Sequence, residues 1–268
     1  MPKATVNGIT LDYELRGKGA PLLMICGFRR SRVVWSEPFL AQLATKFQLI
    51  LLDNRGTGQS DKPTDGYSTE RMADDCAAVL EQAGVARAHV FGFSMGGMIT
   101  QRVATRHAGK VHGLAIAGTN FGKGSIPADK RIAELLRMVP NDKMTAKEVA
   151  YRQEEAYFVE SYRAKNRAAL DQLFETVNKN PTPLHAVQGH LKVIDGFDGK
   201  GDLGKIKAPT LVITGDSDPL IPPGNSDIMA KAIPGAKLVV IPDTSHFFWM
   251  EKPQESAGAL IDFFGKLK

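Results

Sequence analysis

HVFGFSMGGMITQ, residues 89–101, begins as an apolar run, breaks at glycines and resumes with the spacing of a helix. A strand that turns directly into a helix in mid-chain belongs to a parallel sheet whose strands are joined by crossover helices. The break also holds a serine, Ser94, between Gly92 and Gly96. A turn needs no hydroxyl. Serine is a poor nucleophile unless it is held in the open beside a base, and a sharp strand-to-helix turn does so at the cost of backbone strain. Gly92 and Gly96 then keep side chains from colliding across the turn, and Gly97 lets the helix pack close to the sheet.

The same alternation extends in both directions. LDYELRG (11–17) and PLLMICG (21–27) read as an early pair of strands, after a polar, strand-like amino terminus. FQLILLD (47–53) is apolar almost throughout, as a strand covered on both faces must be, and AHVFGF (88–93) and GLAIAG (113–118) follow in the same style. Helical patterns lie between them, around 39–45, 69–83 and 98–106. After Asn120 the strands stop. Stripes such as Ile132, Leu135, Leu136, Val139 and Leu170, Leu173, Phe174, Val177 describe amphipathic helices, and Thr145 with Glu148 has the spacing of a capping box. Strands return with PTLVITG (209–215) and KLVVIP (237–242), separated by a helix near 226–232 and followed by a last one carrying Ala257, Leu260, Ile261 and Phe264. The expected organisation is a core of residues 1–120 and 187–268 divided by a helical insertion over 121–186.

The 268 residues, 43% hydrophobic and 24% charged, are enough for a large core. The net charge of +5 is dispersed, with no basic run interleaved with aromatics, so nucleic acid is not an expected partner. The amino terminus lacks a secretion pattern and no apolar stretch approaches the roughly 20 residues of a bilayer span, which predicts a cytoplasmic protein without membrane contact. Cys76 shares a helical stripe with Met72, Val79, Leu80 and Ala83 and reads as a core thiol; with Cys26 as the only other cysteine, no disulfide framework is indicated.

In an open parallel sheet, ligands bind at the carboxyl ends of the strands, where loops and helix amino termini converge. Ser94 follows one strand there, Asp216 and Asp218 follow another, and His246 follows the last. Taken together and in this order, these segments resemble the α/β hydrolases over essentially the whole chain. GFSMG matches that family's nucleophile elbow G-x-S-x-G, DNRGTGQSD (53–61) is similar to the loop after its fourth strand, GDSDPLIP (215–222) to its acid-bearing segment, and SHFFWMEKP (245–253) to its histidine-bearing segment. The resemblance implies a mostly parallel, doubly wound eight-stranded sheet with a helical cap inserted after the sixth strand. It also implies a triad of Ser94, His246 and Asp218, with Asp216 and Asp243 as rivals for the acid. The oxyanion hole would be the amides of Phe28 and Met95.

Where the family commonly has His-Gly, this chain has Cys26-Gly27, so the hydrogen bond that braces the oxyanion loop would be absent or replaced. Gly27, Phe28, Phe247, Trp249 and Tyr157 are the candidates for touching substrate, with Trp35, Phe248, Tyr151, Phe158 and Tyr162 behind them. Arg29 and Arg30 follow the oxyanion loop, as receptors for an acidic substrate group or as surface residues. The remaining histidines, His185 and His190 among them, read as structural, and no paired spacing suggests a metal. The implied activity is hydrolysis of a small carboxylic ester or lactone without cofactor. Carbon–carbon bond hydrolysis, cofactor-free perhydrolysis and ligand reception with vestigial hydrolysis are alternatives on the same residues. Dehalogenases and epoxide hydrolases are disfavoured because they carry aspartate at the position of Ser94, and dienelactone hydrolases because they carry cysteine.

Overall fold

A computed structural model describes residues 2–267. Among them, eight strands form one sheet: β1 (Lys3–Val6), β2 (Ile9–Arg16), β3 (Ala20–Ile25), β4 (Phe47–Leu52), β5 (Ala88–Phe93), β6 (Val111–Ala117), β7 (Thr210–Gly215) and β8 (Lys237–Ile241), in the order β1-β2-β4-β3-β5-β6-β7-β8. β1 and β2 run antiparallel to their neighbours, and every later pairing is parallel. The expected early pair of strands is present but not paired, because β4 lies between β2 and β3. The turn at 17–19 must cross the start of β4, and it does so at Gly19, where a Cβ would overlap the Lys46 carbonyl.

The alternation of strand side chains divides the core in two. Leu23, Ile25, Ile50 and Val90 face helices α2 (Thr69–Gln82) and α3 (Met95–Arg106), whose Met72, Cys76, Leu80 and Ile99 cover them. Leu22, Met24, Leu49 and Phe91 face the other way, toward Phe39 and Leu43 of α1 (Glu37–Leu43) and Leu260 and Phe264 of the last helix (Pro253–Phe264). The crossover after β3 leads to one side of the sheet and that after β5 to the other. The gap between the carboxyl ends of β3 and β5 is therefore the topological switch point, where such sheets open a crevice.

Four helices, α4 (Lys130–Arg137), α5 (Ala146–Tyr157), α6 (Glu160–Lys165) and α7 (Arg167–Asn178), follow β6. Thr145 and Glu148 do form a capping box, with Thr145 N–H donating to Glu148 Oε2 at 2.7 Å and Glu148 N–H to Thr145 Oγ1 at 3.3 Å. The expected boundary at residue 186 falls inside α8 (Leu184–Gly196). Its buried stripe contributes Val187 and Val193 to the core of the sheet. The remaining helices are α9 (Gly224–Ala232), the single turn α10 (Phe248–Glu251) and α11 (Pro253–Phe264).

Two buried histidines make stability depend on pH. Burial, helped by Arg29 and Arg55, lowers the pKa of His190 on α8 to about 4; burial, helped by His112 and Arg87, lowers that of His89 on β5 to about 4. In the unfolded chain both return to about 6.5. Between pH 6.5 and 4 the unfolded state thus binds protons that the folded state refuses, and stability falls as pH falls, by at most about 1.4 kcal/mol per pH unit for each histidine. Urea unfolding at pH 7.5, 6 and 5 should show this decline, and His190→Asn and His89→Gln should each flatten it. An unchanged slope in both variants would show that neither histidine is held neutral.

Candidate active site

Ser94 has φ 57° and ψ −123°, a conformation that side chains with a Cβ rarely adopt. It is pinned there from both sides. Its N–H donates to the Ala117 carbonyl of β6 at 2.9 Å, and its own carbonyl accepts from Gly97 at 2.8 Å in the first turn of α3. The neighbouring glycines leave no room for anything larger. A Cβ on Gly92 would overlap Thr100 Oγ1 and the Gly96 carbonyl, and one on Gly96 would overlap the Ile25 carbonyl at the end of β3. Gly96 as well as Gly97 thus brings the helix onto the sheet.

The loops after β7 and β8 meet Ser94 from the other side. Asp218 is buried; its Oδ1 accepts the Leu220 and Ile221 amides at 2.9 and 2.8 Å, leaving Oδ2 to accept from His246 Nδ1 at 2.7 Å. Since a carboxylate with this pattern of donors only accepts, the imidazole carries its proton on Nδ1 and turns its Nε2 lone pair to Ser94 Oγ, 3.1 Å away. Asp216 instead accepts the Asp243 amide at 2.9 Å, and Asp243 is exposed, so neither rival reaches the imidazole. The histidine loop is anchored by Glu251, whose carboxylate accepts from Ser245 N–H at 2.6 Å and from Val159 N–H, just past α5, at 2.7 Å. Burial raises the Glu251 pKa, against the lowering effect of those two amides. No local sequence signal marks Glu251.

The loop after β3 abuts the elbow so closely that a Cβ on Gly27 would lie 2.8 Å from Ser94 Cβ and 3.3 Å from its Oγ. Phe28 follows in this loop, and Met95 is the first residue of α3, directly after Ser94. Cys26 is buried, its thiol pKa raised well above the ordinary value by burial and then by the charge of Asp53, so it remains a protonated thiol. Its carbonyl accepts from Asn54 Nδ2 at 2.9 Å. Three residues further on, Arg29 stands at φ 60°. Arg29 N–H donates to His190 Nδ1 at 3.2 Å, its carbonyl accepts from Thr182 Oγ1 at 3.2 Å, and its guanidinium donates to the Met138 carbonyl at 2.9 Å. His190 completes the brace by donating from Nε2 to the Arg55 carbonyl at 2.9 Å. The loop after β3 is thus braced from α8 through His190. The signal was a histidine on a helical stripe with Val187 and Val193.

Gly27, Phe28, Ser94, Tyr157, His246 and Phe247 enclose a cavity of about 10 Å³, the space of a single water. Trp249 does not line it. It stacks behind Phe247 and is buried against Trp35, Phe247 and Phe93, with ring centroids 4.8, 5.1 and 5.7 Å away. Trp35 shares that cluster, Phe248 is fully buried, and Tyr151 and Tyr162 belong to cap packing, with Tyr151 Oη donating to Asp171 at 2.7 Å and Tyr162 stacked on Phe158. Among the described residues, no group of three or more His, Cys, Asp or Glu side chains is placed to hold a metal ion, and no helix is long and apolar enough to cross a membrane.

Known proteins share both the sequence and the architecture. RutD of Azorhizobium caulinodans, whose name refers to carbamate hydrolysis, is 29% identical over 269 residues, covering 100% of this chain and 99% of that protein. The enol-lactonase of Burkholderia xenovorans LB400 superposes with a TM-score of 0.86 at 26% identity, over 99% of this chain and 100% of that one. A thermophilic esterase from Thermogutta terrifontis gives 0.83 at 26%, over 99% and 98%. Residues 20–253 match the family described as alpha/beta hydrolase fold, and the chain belongs to that family.

Proposed function

We propose that the protein is a serine hydrolase that cleaves small carboxylic esters, lactones included, through an acyl-enzyme. The observation that carries this reading is the unbroken chain of hydrogen bonds from Ser94 Oγ to His246, 3.1 Å, and from His246 to Asp218, 2.7 Å, built on a strained turn at the mouth of the crevice. Ser94 Oγ attacks the acyl carbonyl as His246 Nε2 takes its proton. Asp218 keeps the proton of Nδ1 in place and stabilises the imidazolium. The carbonyl oxygen becomes an oxyanion, to which the amides of Phe28 and Met95 donate; collapse expels the alcohol with the proton from His246, and water repeats the sequence to release the acid. No metal or cofactor enters any step. The esterase, lactonase and RutD similarities all fall within acyl transfer, so the substrate panel includes alkyl esters, lactones and a carbamate.

Incubation with a fluorophosphonate, followed by mass spectrometry, should place a single adduct on Ser94. Ser94→Ala should lose the adduct and reduce kcat on any ester substrate by about 10⁶-fold. Folded wild-type protein that takes up no probe and turns over none of the panel would point instead to a receptor built on this fold.

The brace on Arg29 makes a second expectation. His190→Leu removes the acceptor of Arg29 N–H and loosens the loop carrying Phe28, so kcat should fall about 10- to 100-fold with little change in KM. His190→Asn, whose side-chain oxygen can accept the same bond, should restore most of the loss. Equal damage by both variants, or a change confined to KM, would remove the loop from the catalytic cycle.

A further inference from the structure

A second cavity, of about 180 Å³, lies in the cap beside the first. Val149, Leu170, Leu173, Phe174 and Val177 of α5 and α7 form much of its wall, and Arg30, Tyr157 and Phe247 are shared with the cavity at Ser94. A dry apolar space of roughly 150 Å³ is enough for a benzene-sized group. The shared wall is unusual in its charge. The Arg30 guanidinium lies 5.3 Å from the ring centre of Tyr157 and 6.0 Å from that of Phe247, half-buried between the two spaces. Among the described residues no carboxylate pairs with it. The one acid on the cap cavity's wall, Glu154, is held by both terminal nitrogens of Arg167 at 2.6 and 2.7 Å. Arg29, the other cation there, spends its guanidinium on the Met138 carbonyl.

A guanidinium fixed over two rings, with its donors uncommitted and low-dielectric walls around it, is suited to bind a carboxylate through paired charge-assisted hydrogen bonds. We infer that Arg30 is a specificity-determining residue for anionic substrates: esters or lactones that carry a carboxylate a few bonds from the scissile carbonyl, with their hydrocarbon part in the cap cavity. This rests on the serine-hydrolase reading. It goes further in naming the substrate class and the residue that selects it.

The test compares isosteric esters that differ only in charge, followed by proton release. Monoethyl adipate is paired with ethyl 6-methylheptanoate, which places the carboxylate on the acyl side; 4-acetoxybutanoate is paired with 4-methylpentyl acetate, which places it on the alcohol side. For at least one pair, the anionic-to-neutral ratio of kcat/KM should drop by about 10- to 100-fold in Arg30→Gln, as expected when a hydrogen bond to a charged group is lost. Arg30→Lys should recover part of it, and 0.5 M salt should lower the wild-type ratio. Fluorophosphonate labelling of Ser94 establishes that each variant retains a folded site. A ratio that stays the same in Arg30→Gln for both pairs, in protein that still labels, overturns the anion site and leaves the serine hydrolase standing. Wild-type protein that neither labels nor hydrolyses any of the four esters overturns the underlying reading as well.

Discussion

The site depends on a close approach of backbone to backbone at the switch point of the sheet. Gly27 at the end of β3 nearly touches Ser94 at the end of β5, and Gly96 lies against the Ile25 carbonyl. Only glycines permit this spacing, and only a strained Ser94, held by Ala117 and Gly97, fits between them. In this geometry the Ser94 hydroxyl makes no capping bond to its own helix and stays turned toward His246. The left-handed strain at Ser94 and at Arg29, of order 1–3 kcal/mol each, is tolerated because the surrounding hydrogen bonds leave the chain no relaxed alternative.

How much of this was legible in the sequence follows from the range over which each residue acts. The elbow is local: its strand, its glycines and its helix are contiguous, so HVFGFSMGG carries its own context. Asp218 and His246 could be placed because each follows an apolar strand run, although Asp216 could be set aside only once its carboxylate was found on the Asp243 and Thr244 amides. The order of the strands was less accessible. LDYELRG and PLLMICG are close in sequence, and nothing in either says that β4 will enter between them. Least legible were the supports. Glu251, Asn54, Thr182 and His190 act through backbone groups remote in sequence, and a residue that hydrogen-bonds to a carbonyl or amide leaves no complementary side chain elsewhere to betray it. Trp249 was misjudged for a related reason. Its proximity in sequence to His246 is real, but the helical turn it sits on points it into the core.

Those supports share a feature that bears on how the site works. Two loops of the candidate site are tied to the cap or its margins as well as to the sheet: the histidine loop through Glu251 to Val159 and through the Phe247 amide to the Tyr157 carbonyl, and the loop after β3 through Arg29 to Met138, Thr182 and His190. A cap joined only by its two chain crossings would be free to rock without consequence for the chemistry. Here any movement of α5 relative to the sheet pulls on the segment that carries His246, and any movement of α4 or α8 pulls on the residue after Phe28.

That coupling meets a steric demand. The space at Ser94, about 10 Å³, is little more than that of one water, and it adjoins the larger cavity in the cap. The sheet side of the cavity cannot yield, since Gly27, Phe93 and Ser94 belong to the close-packed switch point. The other wall is Arg30 with Tyr157 and Phe247, the same residues that line the larger space in the cap. Phe247 also ties its amide to the Tyr157 carbonyl at the end of α5, directly after His246. The cap cavity and His246 are thus joined through one residue, the kind of link by which binding remote from the reacting atoms is converted into rate rather than affinity.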